Sequence, residues 1–222
     1  MKPETVHIQG LETIRVLSPD SDTAVVMIHG YGASMQDLFP LWNLWHQTGL
    51  SWYFPNGPLS LPMGYYEGRA WFSIDIEKLE EAIRTGSHRD MKKATPLEFD
   101  DTLQILENYL QEIASTHKKI ILGGFSQGAM CASHLATRAG LPIEKLILLS
   151  GSLLAEERFP ASAKSIPFYQ SHGAGDPILS FEGAKDLYKK LTALGFKGEF
   201  REFAGGHEIP PVVIEDVKKF LG

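Results

Sequence analysis

The sequence predicts an α/β protein with a mostly parallel central sheet flanked by helices, and three observations predict it. Its apolar runs are continuous rather than alternating, as in strands buried on both faces. Segments with apolar residues at helical spacing separate those runs. The residues best suited to chemistry follow the runs, at the strand ends where open α/β sheets bind ligands. The 222 residues suit one compact domain, 1–222, long enough to bury most of its apolar surface.

The elements follow in order. Val6 to Ile8 and Ile14 to Val16 alternate around Gly10 and read as an opening pair of strands. Residues 24–28 (AVVMI), 119–122 (KIIL) and 145–149 (KLILL) are continuous apolar runs, and 167–170 (PFYQ) is a weaker one. Residues 51–54 and 198–203 read as further strands. Helical spacing runs over 96–116 through Leu97, Phe99, Leu103, Leu106, Leu110 and Ile113. It returns over 127–138, over 181–194 with Ser180 as N-cap and Gly195 as stop, and over 210–221. Such alternation implies βαβ units with right-handed crossovers. Residues 55–72 break the pattern with Pro55, Pro58, Pro62, Tyr65, Tyr66, Trp71 and Phe72. They read as a long aromatic surface loop, of the kind that carries function.

Composition narrows the function. The net charge is −6, from 27 acidic and 21 basic side chains. The densest basic cluster, Arg89 to Lys93, is broken by Asp90, so nucleic-acid binding has no electrostatic support. The first residues lack the apolar stretch of a signal peptide, and no transmembrane segment is expected. The single Cys131 excludes an internal disulfide and fits a reducing cytoplasm. It reads as a small buried hydrophobe within a helix.

Four short segments could carry chemistry. Gly124-Phe125-Ser126-Gln127-Gly128 matches G-x-S-x-G between an apolar strand and an apolar helix. That context exposes a serine hydroxyl on a strained turn. The N–H of Gln127, at the helix start, can face a developing oxyanion. Chain order then asks for an acid and, after it, a histidine. Asp176 lies in a Gly- and Pro-rich turn after the 167–170 strand, and His207 follows Gly205-Gly206. His172 is a rival base, but it precedes the acid. The second oxyanion donor falls to the N–H of Tyr31, in His29-Gly30-Tyr31-Gly32 after the 24–28 run. The blander readings are a tight βα turn at Ser126, an Asx-turn at Asp176 and a Gly-rich turn at Tyr31.

On these residues the chain resembles the phospholipase/carboxylesterase family of serine hydrolases, within the α/β-hydrolase superfamily. The resemblance rests on HGYGAS (29–34), RAWFSI (69–74), GFSQGAM (124–130), LSG (149–151), HGAGDPIL (172–179) and GGHEI (205–209). It implies an α/β-hydrolase fold without a large cap and a catalytic triad of Ser126, Asp176 and His207. It also implies an oxyanion hole from the N–H groups of Tyr31 and Gln127. The family usually carries Leu at Tyr31 and Asp at Ser73.

The expected activity is that of a serine carboxylesterase, a hydrolase cleaving esters or thioesters of short to medium acyl chains through an acyl-enzyme on Ser126. No metal and no organic cofactor is expected. The substrate is a small-molecule or lipid ester, and Leu59, Leu61, Met63, Trp71, Phe72, Ile178 and Leu179 are candidates to line its apolar pocket. Each of these can equally be core. A lysophospholipase or an acyl-protein thioesterase would use the same triad, and a serine peptidase stays open on the same fold. A reading of another class is a non-catalytic binding module, although such proteins tend to lose a triad member. An exposed aromatic loop can also dock a partner or make a homodimer.

Overall fold

A computed structural model describes residues 1–45, 49–63, 66–88 and 90–222. Its strands are β1 (Pro3–Ile8), β2 (Leu11–Val16), β3 (Thr23–Ile28), β4 (Leu50–Pro55), β5 (Leu59–Met63), β6 (Tyr66–Ala70), β7 (Lys119–Phe125), β8 (Ile143–Leu149), β9 (Pro167–Gly173) and β10 (Lys197–Phe203). The helices are α1 (Met35–Leu38), α2 (Pro40–Trp45), α3 (Ile76–Thr85), α4 (Phe99–Ala114), α5 (Gln127–Leu135), α6 (Phe181–Ala193) and α7 (Pro211–Leu221). Eight strands form one sheet in the order β1-β2-β4-β3-β7-β8-β9-β10. From β4 to β10 neighbouring strands are parallel, and only β2 runs against its neighbours.

The continuous apolar runs follow from burial on both faces. β3 sends Ala24, Val26 and Ile28 to one core and Val25 and Met27 to the other. β8 divides the same way, with Leu146 and Leu148 opposite Ile147 and Leu149. One core lies under α4, α5 and α6, through Phe99, Leu106, Leu110, Cys131 and Leu187. The other lies under α1, α2 and α7, through Met35, Trp45, Val213 and Val217. Every residue of α5 is buried, Cys131 included. Burial pushes that thiol's pKa up, so little thiolate forms and the residue packs rather than reacts.

Three local expectations change. Residues 55–72 are not an open loop. Pro55 ends β4, and β5 and β6 pair as an antiparallel hairpin whose far end feeds Trp71 and Phe72 into the core. Leu97 lies outside α4 and is 92% exposed, because the helix starts at Phe99. α3 was not anticipated, although its signals are present. Asp75 caps it by accepting from the Lys78 N–H, and Gly86 ends it in the left-handed region.

β3 lies between β4 and β7, next to the point where the order of the sheet reverses. Ligands of open α/β sheets bind beyond the strand ends at that point. The segments after β3 and β7 carry Tyr31 and Ser126.

Candidate active site

β7 runs straight into Ser126, whose φ of 55° and ψ of −117° are rare for any residue with a side chain. Such strain costs ~1–3 kcal/mol and persists only where the surroundings enforce it. Here the Ser126 N–H donates to the Leu149 carbonyl at 2.8 Å. α5 then starts so close to the sheet that only glycine fits on either side. A Cβ on Gly124 would lie 2.3 Å from the Gly128 carbonyl carbon, and one on Gly128 would lie 2.0 Å from the Ile28 oxygen. Gln127 is the first residue of α5, so no carbonyl within the helix accepts its N–H. That N–H sits at the positive end of the helix dipole, beside the serine.

The loop after β3 meets this elbow. The Ala33 N–H donates to the Gly30 carbonyl at 3.3 Å, and Gly32, with φ of 75°, takes the left-handed position that a type II turn needs. Tyr31 is therefore the first central residue of the turn. A Cβ on Gly30 would lie 3.1 Å from the Ser126 Cβ, so the backbone before Tyr31 passes directly over the serine. Buried His29 fixes the loop's base. Its Nε2 accepts from the Gly57 N–H at 2.9 Å, and its Nδ1 donates to the Gly30 carbonyl at 2.6 Å. Burial lowers its pKa to about 4, so the ring is neutral near pH 7.

The turn after β9 and the segment after β10 are joined by backbone hydrogen bonds. The Ala174 N–H donates to the Phe203 carbonyl, and the Gly175 N–H to the Gly205 carbonyl, both at 2.9 Å. This brings the His207 Nδ1 to 2.7 Å from the Asp176 Oδ2. The other oxygen, Oδ1, accepts the N–H groups of Ile178 at 2.8 Å and Leu179 at 3.0 Å. Burial alone would raise the Asp176 pKa. The bonds from His207, Leu179 and Ile178 outweigh it and hold the carboxyl below its ordinary range. The carboxylate fixes the proton on Nδ1, which leaves Nε2 as the basic nitrogen of a neutral His207.

Ser126 and His207 open onto one cavity of about 240 Å³. Its walls are Tyr31, Phe72, Ile74, Leu79, Met91, Gln127, Met130, Ile178 and Leu179. Of the expected pocket residues, Phe72, Ile178 and Leu179 line it. Leu59 and Leu61 lie on β5 and are not among its walls. Trp71 is fully buried beneath the wall, its indole N–H donating to the His29 carbonyl at 2.9 Å. The side chain of Met63 lies outside the described residues. Sequence reasoning missed Ile74, Leu79, Met91 and Met130. The spacing of Ile76, Leu79 and Ile83, with Asp75 and Gly86 at the ends, is the helical signal that could have found Leu79. At Ser73 the hydroxyl donates to the Glu98 carboxylate at 2.8 Å. That bond ties the segment after Phe72 to the start of α4.

A serine on a strand–helix elbow, a carboxylate-paired histidine and an apolar cavity between them suit acyl transfer. A sequence profile of the phospholipase/carboxylesterase family matches residues 11–222. The chain belongs to this family. Membership makes it a carboxylic ester hydrolase of the α/β-hydrolase fold. Acyl-protein thioesterase 1 of Candida albicans is 30% identical over 221 residues, covering 89% of this chain and 90% of that protein. Its namesake from Debaryomyces hansenii is 26% identical over 219 residues, covering 90% of each. Among solved structures, esterase PE8 superposes with a TM-score of 0.81 at 26% identity, over 100% of this chain and 98% of that one. The structure of YahD with malic acid superposes at 0.77 with 18% identity, over 95% and 98%, a likeness of fold alone.

Proposed function

We propose that the chain, as one domain over 1–222, hydrolyses carboxylic esters and thioesters of short to medium acyl chains through an acyl-enzyme on Ser126. The observation that carries this reading is the 2.7 Å bond between Asp176 and His207, with His207 and Ser126 facing one apolar cavity. His207 takes the Ser126 proton at Nε2 as the hydroxyl oxygen attacks the acyl carbon. Asp176 stays ionised and stabilises the imidazolium. The N–H groups of Tyr31 and Gln127 receive the negative oxygen of the tetrahedral intermediate. The carbonyl re-forms, the bond to the leaving group breaks, and His207 gives that alcohol or thiol its proton. Water then repeats the sequence on the acyl-serine, releasing the acid and regenerating the hydroxyl. Each step is carried by the chain's own groups.

The cavity supports an acyl group of modest length. At ~30 Å³ per water-sized group, 240 Å³ holds about eight such groups, which suits chains up to roughly octanoyl. Thioesters stay beside oxygen esters because the relatives above carry the name acyl-protein thioesterase. We place the activity in the cytoplasm, on the strength of the lone Cys131, and a homodimer is compatible with the chain. No helix among the described residues is long and apolar enough to cross a membrane.

The test is a fluorophosphonate probe located by mass spectrometry, together with p-nitrophenyl acetate, butyrate and octanoate and a Ser126→Ala control. A single adduct on Ser126, with hydrolysis lost in the variant, is expected. Folded protein that takes no label and cleaves no ester would return the binding-module reading.

A further inference from the structure

The carboxylate of Asp176 is approached by two imidazoles. Besides His207, the Nε2 of His172 lies 3.3 Å from the same Oδ2. His172 is on β9, four residues before the acid, and is fully buried. Its Nε2 lies 3.1 Å from the Leu179 carbonyl. A bare nitrogen lone pair could not face a carbonyl and a carboxylate together, so Nε2 carries the proton and donates it. The peptide of Leu179 is thus held at both ends: its carbonyl accepts from His172, and its N–H donates to the Asp176 Oδ1. Burial keeps this ring below the usual histidine range, so it acts as a neutral donor near pH 7.

We propose that His172 is a positioning residue for the acid–base pair. Its N–H braces the Leu179 peptide against Oδ1 and sets a positive dipole end beside Oδ2, so that the carboxylate stays aimed at His207. The inference rests on the reading of Asp176 and His207 given above. The groups around the ring are few. Among the described residues, Asp176 and His207 are the ionisable groups acting on the ring, the exposed Glu202 of β10 pairs with His172 in the sheet register, and His88, after α3, reaches the backbone carbonyl of Asp176 with its Nε2 at 2.9 Å. Gly151, after β8, presents backbone only, and Phe181 of α6 meets the ring at 6.2 Å between centroids.

Removing the N–H has two separable effects. The carboxylate loses a support, which lowers kcat. A positive dipole end also leaves the neighbourhood of the His207 imidazolium, which makes the imidazolium easier to form. The acid limb of kcat/KM reports the base of the free enzyme, so that limb moves to higher pH. A merely structural role would lower activity without moving it.

The experiment compares His172→Phe, His172→Gln, His172→Asn and Ser126→Ala on p-nitrophenyl butyrate across pH, with folding checked by circular dichroism. Phe keeps the ring's bulk. Gln can place an N–H where Nε2 stands, and Asn is too short to do so. The expected result is a kcat lowered about ten-fold in Phe and Asn, KM little changed, the acid limb moved up, and most of the activity restored in Gln. Should Phe not fold, the split between Gln and Asn carries the test. Equal rates and equal pH profiles in Gln and Asn, with Ser126→Ala inactive, would overturn this inference alone. Hydrolysis retained by Ser126→Ala would overturn the triad reading and this inference with it.

Discussion

Replacing Gln127 by alanine separates its backbone from its side chain. The oxyanion donor assigned to Gln127 is a backbone N–H and survives the change. The side chain has another task. Its Oε1 accepts from the Trp71 N–H at 2.8 Å, and its Nε2 donates to the Phe72 carbonyl at 2.7 Å. These bonds fasten the segment that forms one cavity wall to the first turn of α5. Both Trp71 and Phe72 are buried, at 0% and 1% exposure. Gln127→Ala therefore strands one donor and one acceptor. At ~1–3 kcal/mol for each buried group left unpaired, the loss is about 2–6 kcal/mol. That is a large share of a total stability on the order of 5–15 kcal/mol. At roughly 2–4 °C per kcal/mol for a chain of this size, Tm falls by at least about 4 °C. Thermal unfolding followed by circular dichroism measures it, and hydrolysis of p-nitrophenyl acetate measures what remains of the chemistry. Folded Gln127→Ala should retain acetate hydrolysis while losing preference for longer chains, since Phe72 is no longer held in place. An unchanged Tm and an unchanged ratio of octanoate to acetate rates would refute the reasoning.

Two further outcomes follow from the cavity and from the buried histidines. Ile74→Trp fills the cavity from its wall, so specificity should shift toward acetate, by about four-fold in kcat/KM for each methylene excluded; an unaltered rate series from acetate to octanoate would remove Ile74 from the acyl site. His29 and His134 are buried, and burial lowers both pKa values to about 4 from an ordinary 6.5. The unfolded chain binds these protons first, so the stability they contribute is present above pH 6.5 and is lost as pH falls toward 4. Each shift corresponds to about 3 kcal/mol. Urea midpoints should therefore drop steeply between pH 6.5 and 4, and His134→Gln should flatten that drop.

What the sequence made legible was what local chemistry decides. The runs at 24–28, 119–122 and 145–149 could be read because strands buried on both faces leave no polar positions to blur the pattern. Ser126, Asp176 and His207 stood out because each follows a strand in a short turn, and the structure brings Asp176 and His207 to 2.7 Å; their part in catalysis is the proposal made above. The cavity wall was harder to read. Trp71 and Leu61 are as apolar as Ile74 and Met91, and nothing local tells a residue that lines a cavity from one beneath it. The difference is one of tertiary placement, which sets Leu59 and Leu61 on the β5–β6 hairpin and buries Trp71 completely. The closeness of His172 to Asp176 was illegible for a related reason. Chain order ranks it behind His207 as a base, but only the folded turn shows its Nε2 3.3 Å from the acid.

The relative placement of serine and acid is a property of the sheet. Phe125 pairs with Leu149, Leu149 with Ser171, and Ser171 with Arg201, so one row of residues crosses β7, β8, β9 and β10. Just beyond that row each strand end is tied to the next. The Ser126 N–H donates to the Leu149 carbonyl at 2.8 Å, Ser150 to Ser171 at 2.9 Å, and Ala174 to Phe203 at 2.9 Å. Ser126 and Ser150 both hold positive φ, at 55° and 48°, so adjacent strands each leave the sheet through a residue of positive φ. Four strands thus set where Ser126 and the Asp176 turn stand relative to one another. A slip of one residue between β8 and β9 would exchange the two faces of β9. Gln170 and His172 would then turn toward the opposite core, and the Asp176 turn would shift by ~3.3 Å along the strand relative to Ser126. The continuous apolar runs that bury these strands on both faces therefore also set the spacing of Ser126 and Asp176 on which the proposed acyl transfer depends.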